Sequence, residues 1–131
     1  MAGYSDTPLI KKLGIKDGFL MHTVNAPSHY GDLLGDLPVG VEEAESDCNF
    51  IHAFYVERAD LEAQLPALMK KIKCDGMIWV SWPKKASKVP TTITEDTIRE
   101  VALPIGLVDV KVAAVDEVWS DLKLMIRKEL R

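Results

Sequence analysis

Lys84, Lys85 and Lys88, preceded by Trp82 and bounded by Pro83 and Pro90, are the residues whose types and spacing best suit binding chemistry. A lysine ammonium is a compact charge with three donors, suited to a phosphate or carboxylate, and an indole offers a flat apolar face beside it. The stretch MIWVSWPKKASKVPTT passes from strongly apolar to basic within a few residues, as a strand does when it runs into a loop. Trp82, Lys84, Lys85 and Lys88 are therefore the candidate ligand-binding residues, for a small anionic ligand or a protein partner. Against them stand Glu95 and Asp96, acidic at the start of the next helix, and the plainer reading of a solvated loop with Trp82 packed in the core.

The histidines and cysteines support less. His22 and His52 fall in strands expected to be neighbours, but two imidazoles without a third ligand at recognisable spacing make a poor metal site. They read as buried or half-buried core histidines. Ser28 and His29 are adjacent, so on a helix they point in different directions, and no orienting acid is identifiable; a surface turn is the simpler reading. Cys48 and Cys74 are far apart with no CxxC, which supports neither zinc nor a redox pair. No metal and no catalytic residue is assigned. Tyr30, Trp79 and Trp119 read as core or rim aromatics, with Trp119, placed in a hairpin turn, as the one candidate contact residue.

These residues need a scaffold, and 131 residues with 47% hydrophobic and 27% charged content suit one soluble domain. A net charge of −4 argues against a general nucleic-acid binder. No apolar run has the length to cross a bilayer and no secretory signal is visible, so a cytoplasmic protein is expected.

The chain reads as a single α/β domain: residues 1–17 form a helical clamp, 18–106 parallel βα units and 107–131 a C-terminal β-hairpin. Thr7, Pro8 and Gly14 frame the first helix. Phe19 to Val24, Phe50 to Val56 and Met77 to Trp82 are continuous apolar runs, expected of strands covered on both faces. Tyr30, Leu33, Leu34 and Leu37 predict a helix capped by Ser28, and Leu61, Leu65, Leu68, Met69 and Ile72 predict another, interrupted or restarted at Pro66. Residues 39–45 are a weak edge strand. Thr92 with Glu95, or Thr94 alone, caps the helix of Ile98, Val101, Ala102 and Ile105. Alternation at Val108, Val110, Val112 and at Leu122, Leu124, Ile126 predicts an antiparallel pair turning near Trp119 to Asp121, whose edge leaves pairing with a second copy open.

The order β-α-β-β-α-β-α-β-β is that of a three-layer Rossmann-like fold with a mostly parallel sheet. Asp47 to Trp82 and the closing hairpin resemble a truncated class I methyltransferase. That resemblance implies S-adenosylmethionine as cofactor, with Glu42, Glu43 or Glu45 near its ribose. A further resemblance lies in Gly3 to Leu9, Lys12 to Lys16, Trp82-Pro83-Lys84-Lys85-Ala86-Ser87 and Gly106 to Val112. These segments are similar to a family of small bacterial proteins of unknown function, and imply no activity or site residues.

The first strand-to-helix turn, Asn25-Ala26-Pro27-Ser28, decides between the readings. Nucleotide-binding turns use glycines so that backbone N–H groups approach the ligand, whereas here there is no GxGxxG and Pro27 removes a donor. The sequence therefore favours a non-catalytic binding or regulatory module with no cofactor. The alternative is a degenerate S-adenosylmethionine-dependent methyltransferase-like enzyme.

Overall fold

Strands as uniformly apolar as those at 50–54 and 77–82 have no face to offer water, and the chain buries them between two helical layers. The structure, a computed structural model, describes residues 8–131, so the expected Thr7 cap lies outside the described residues. The elements are α1 (Leu9–Leu13), β1 (Leu20–Val24), α2 (Tyr30–Leu34), β2 (Glu42–Glu43), β3 (Cys48–Phe54), α3 (Arg58–Met69), β4 (Ile72–Pro83), α4 (Glu95–Ala102), β5 (Leu107–Ala114) and β6 (Trp119–Ile126). They build one six-stranded sheet in the order β2-β1-β3-β4-β6-β5. β1 to β4 run parallel, and β6 is antiparallel to both β4 and β5. The expected Rossmann-like sheet with a C-terminal hairpin is thus the observed one. No helix among the described residues is long and apolar enough to cross a membrane.

Each face of the sheet has its own core. On one, Leu61, Leu65 and Leu68 of α3 and Ile98 and Ala102 of α4 cover Ile51, Ile78, Val80 and Leu122. On the other, α1 and α2 bring Leu13, Tyr30 and Leu34 against Phe50, Phe54 and Trp79. The indole Nε1 of wholly buried Trp79 donates to the Leu13 carbonyl at 2.9 Å, which fastens α1 to the sheet.

Several boundaries differ from expectation for local reasons. α2 has five residues, starts at Tyr30 after His29 and ends at Gly35, which adopts φ 70; Leu37 lies beyond it, largely exposed. α3 runs unbroken through Pro66, while Ile72 already belongs to β4. β4 therefore includes Asp75 and Gly76, accommodated by a register shift against β3 between Cys48 and Phe50. A Cβ on Gly76 would stand 2.8 Å from the Cys48 carbonyl oxygen, so only glycine fits that approach. Thr94 caps α4 in a reciprocal pair with Thr97, whereas the Thr92 hydroxyl accepts from the Arg58 N–H.

The final hairpin turns earlier than expected. Asp116 Oδ1 accepts from the N–H groups of Val118 and Trp119, both at 2.8 Å, making an Asx-type turn that releases Trp119 into β6. Trp119 then packs edge-to-face on Phe54 with ring centroids 5.1 Å apart, so it is not a free contact residue. Leu122, Leu124 and Ile126 are buried as expected. Val110 and Val112 are not: β5 is an edge strand whose register shifts between Asp109 and Lys111, and both valines are about half exposed.

Candidate functional site

The order of an open α/β sheet identifies where ligands gather: outside the carboxyl ends of the strands at which the chain changes direction along the sheet. Here that switch lies between β1 and β3, with β2 on the far side of β1. The turn after β1 begins at Asn25, a non-glycine residue at φ 56, whose side-chain amide donates to the Phe54 carbonyl at 3.1 Å. The crevice between the two strand ends is therefore spanned by a side chain instead of opening onto a glycine loop.

Beside it, a cleft of about 340 Å³ opens between β1, α2 and β2. Met21, Leu34 and Val41 give it apolar walls, and Gly31 and Tyr30 contribute the α2 side. Glu43 of the edge strand, registered with Met21, brings a carboxylate to its rim, while the adjacent Glu42, registered with Leu20, borders the cleft from a position that faces the other side of the sheet. Gly31 has no neighbouring heavy atom within 4 Å of a would-be Cβ, so the α2 backbone is approachable there. The apolar walls and the Glu43 carboxylate suit a nucleoside, base against hydrocarbon and ribose hydroxyls donating to acid. The turn at Pro27 does not offer the cradle that the amino-acid end of S-adenosylmethionine needs. The fit covers the adenosyl half alone.

Behind the cleft, the sheet interior holds a buried polar chain that the sequence reading missed. Tyr30 Oη lies 2.9 Å from His52 Nδ1, His52 Nε2 lies 2.7 Å from Ser81 Oγ, and the Ser81 hydroxyl donates to Asp121 Oδ1 at 2.8 Å. His52 Nε2 is also 3.3 Å from Asp121 Oδ1. Every hydrogen finds an acceptor if the Tyr30 hydroxyl donates to Nδ1 and the Nε2–H donates toward Ser81. Only Asp121 Oδ2 is left, buried and without a partner among the described residues. His52, Ser81 and Asp121 are wholly inaccessible.

The residue types are those of a hydrolytic triad, but the serine donates to the acid instead of to the imidazole, and no substrate reaches it. The chain instead ties α2 to three strands and holds Tyr30 in the cleft wall. Burial first, and the Asp121 carboxylate second, push the Tyr30 phenol far above its ordinary value, so it stays a hydrogen-bond donor. The available signal was one polar residue inside each of two apolar runs, His52 and Ser81, whereas Asp121, beside Ser120 in an alternating segment, gave none.

The other candidates separate. His22 is registered with Ile51 and His52 with Thr23, so in the parallel pairing the two imidazoles face opposite sides of the sheet. No group of three metal-binding side chains occurs among the described residues. His29 does have an acid, Asp116, with Nε2 3.0 Å from Oδ2, contributed by the distant hairpin turn. Trp82, 7% exposed, packs into the core under α3 and α4, while Lys84, Lys85 and Lys88 leave it for the surface. All four border one groove between the end of β4 and the start of α4.

No protein-family model and no curated protein matches the chain. Solved structures do. A SAM-dependent methyltransferase from Aquifex aeolicus superposes with TM-score 0.65 at 15% identity, covering 90% of this chain and 87% of that one. Precorrin-6y C5,15-methyltransferase from Geobacter metallireducens superposes with TM-score 0.58 at 15% identity over 89% and 84%. Aeropyrum pernix fibrillarin, in complex with natively bound S-adenosyl-L-methionine, gives 0.59 at 10% identity over 90% and 72%. At such identities the likeness establishes the fold. It nevertheless overturns the preference for a non-catalytic module, since the scaffold shared across nearly the whole chain is one that methyltransferases use: the chain has the class I methyltransferase-like, Rossmann-like fold.

Proposed function

We propose that this protein is a reduced S-adenosylmethionine-dependent methyltransferase-like enzyme whose adenosyl group lies in the cleft between β1, α2 and β2. The observation that carries the reading is the cleft itself, which sets Glu43 at the rim of an apolar slot beside the switch point of a methyltransferase-type sheet. Tyr30, Leu34 and Met21 would wall the adenine, and Glu43 would accept from the ribose hydroxyls. Bound S-adenosylmethionine would supply an electrophilic methyl group. The residues at hand bind and orient. With Pro27 and Asn25 in place of a glycine turn, the amino-acid end gains little, so weak affinity in the high micromolar to millimolar range is expected.

Isothermal calorimetry of the full chain with S-adenosylmethionine, S-adenosylhomocysteine and adenosine tests it. Saturable heat for all three, with affinity lowered at least tenfold in Glu42→Lys/Glu43→Lys, supports the reading. Neither heat nor thermal shift at millimolar ligand removes it.

A further inference from the structure

We infer that the groove between the end of β4 and the start of α4 is a binding site for a small organic anion with an apolar body, its negative group held by Lys84, Lys85 and Lys88. The groove encloses about 690 Å³. One side is basic, the other is built from Pro83, Pro90 and Ile93 over the edge of Trp82, and Glu95 stands at the α4 end. A mixed lining of this kind suits an aliphatic or aromatic acid or phosphate ester better than a bare ion.

Three observations favour the anion. The three lysines make no ion pair among the described residues, although the chain carries a net charge of −4. The carboxylates that the sequence sets against them are partly offset: Arg99 pairs with Glu95, Asp96 and Asp109, which removes about one of the three negative charges at the start of α4, where Glu95 also borders the groove. The loop is also held in shape. Lys84 N–H donates to the Val118 carbonyl at one end and Thr92 N–H to the Val56 carbonyl at the other. Between them the Ser87 hydroxyl donates to the Lys84 carbonyl and accepts from the Val89 N–H.

Lys88 sits at φ 62, a conformation that glycine adopts without strain and lysine does not. Backbone preference would install glycine there, and a lysine in its place is accounted for by its charge. This inference is independent of the adenosyl reading, because Trp82 and Ile93 belong to the core under α3 and α4, on the opposite face from the β1–α2–β2 cleft.

The test is a titration of ¹⁵N-labelled full-length protein, followed by NMR, with phenyl phosphate, benzoate, inorganic phosphate and benzyl alcohol. Saturable shifts of the Lys84 to Val89 amides and the Trp82 indole N–H with phenyl phosphate or benzoate are expected, and the tighter of the two identifies the head group. Benzyl alcohol should move nothing there. Equal response to the alcohol would overturn the role of charge, and equal affinity for inorganic phosphate would overturn the apolar body. Lys84→Glu/Lys85→Glu should weaken binding at least tenfold, with Lys84→Gln/Lys85→Gln as the milder pair should the first fail to fold. Lys88→Gly should bind less tightly while unfolding at an equal or higher denaturant concentration; parental affinity in both the double variant and Lys88→Gly would sink the site. S-adenosylmethionine added to the same sample reports at Thr23 to Gly31 instead, so the two proposals fail separately.

Discussion

Ser81 and Asp121 face each other across β4 and β6, with the serine hydroxyl 2.8 Å from Oδ1 and neither side chain accessible. A buried acceptor deprived of its donor loses more than the bond itself, because nothing replaces the hydration given up on folding. Ser81→Ala and Asp121→Ala should each lower unfolding free energy by about 1–3 kcal/mol in urea titrations. The double variant should fall short of the sum by about 0.5–3 kcal/mol, since each change removes the same contact. Strict additivity would show that the polar chain does not act as a unit.

The tyrosines predict an alkaline limit. Burial, and then the nearby Asp60, push the Tyr55 phenol up to about 12, and Tyr30 is raised further by burial and Asp121. Both values are raised in the folded state, so the stability they confer is complete below the ordinary phenol value of about 10 and drains as pH rises through the folded values. The urea midpoint should hold level to about pH 9 and decline above it. Ultraviolet titration should show one phenol ionising near pH 12 that disappears in Tyr55→Phe. A phenol lost in that variant but titrating near 10 would contradict the burial.

Asp116 predicts an acid limit. Burial works against its ionisation, but the His29 imidazole and the N–H groups of Trp119 and Val118 outweigh it, so its carboxyl lies below the usual range. A depressed value confers stability that is present above the unfolded value of about 3.9 and is lost as pH falls through the folded one. Asp116→Ala should cost about 1–2 kcal/mol at neutral pH and flatten the acid limb of the stability curve. His29→Ala should cost less than about 1 kcal/mol, because that side chain is half exposed. Equal costs would mean that the ion pair, and not the turn, carries the contribution.

Gly76→Ala should destabilise by about 1–3 kcal/mol, by overpacking against the Cys48 carbonyl, although its φ is not in the left-handed region. Gly31→Ala, where the added methyl meets open space, serves as the control and should be neutral or mildly stabilising, as expected within a helix.

What the sequence determined by itself is the scaffold. Hydrophobic periodicity and the turn residues specify β1, β3, β4, α3, α4 and the closing hairpin, because burial on one face or two leaves a local pattern of period 3.6, 2 or none. The basic loop was legible for the same reason, since its prolines and lysines are contiguous. Tertiary structure alone decided the rest. Whether His22 and His52 share a face depends on a one-residue register between β1 and β3. His52, Ser81 and Asp121 meet only because β3, β4 and β6 lie side by side, and Asp116 reaches His29 across 87 positions of chain. The charge balance at the lysine groove was likewise hidden: Arg99 folds back over Glu95 and Asp96 and offsets part of the charge with which they oppose an anion. Side chains far apart in sequence acquire their chemistry from neighbours that only strand order and register supply.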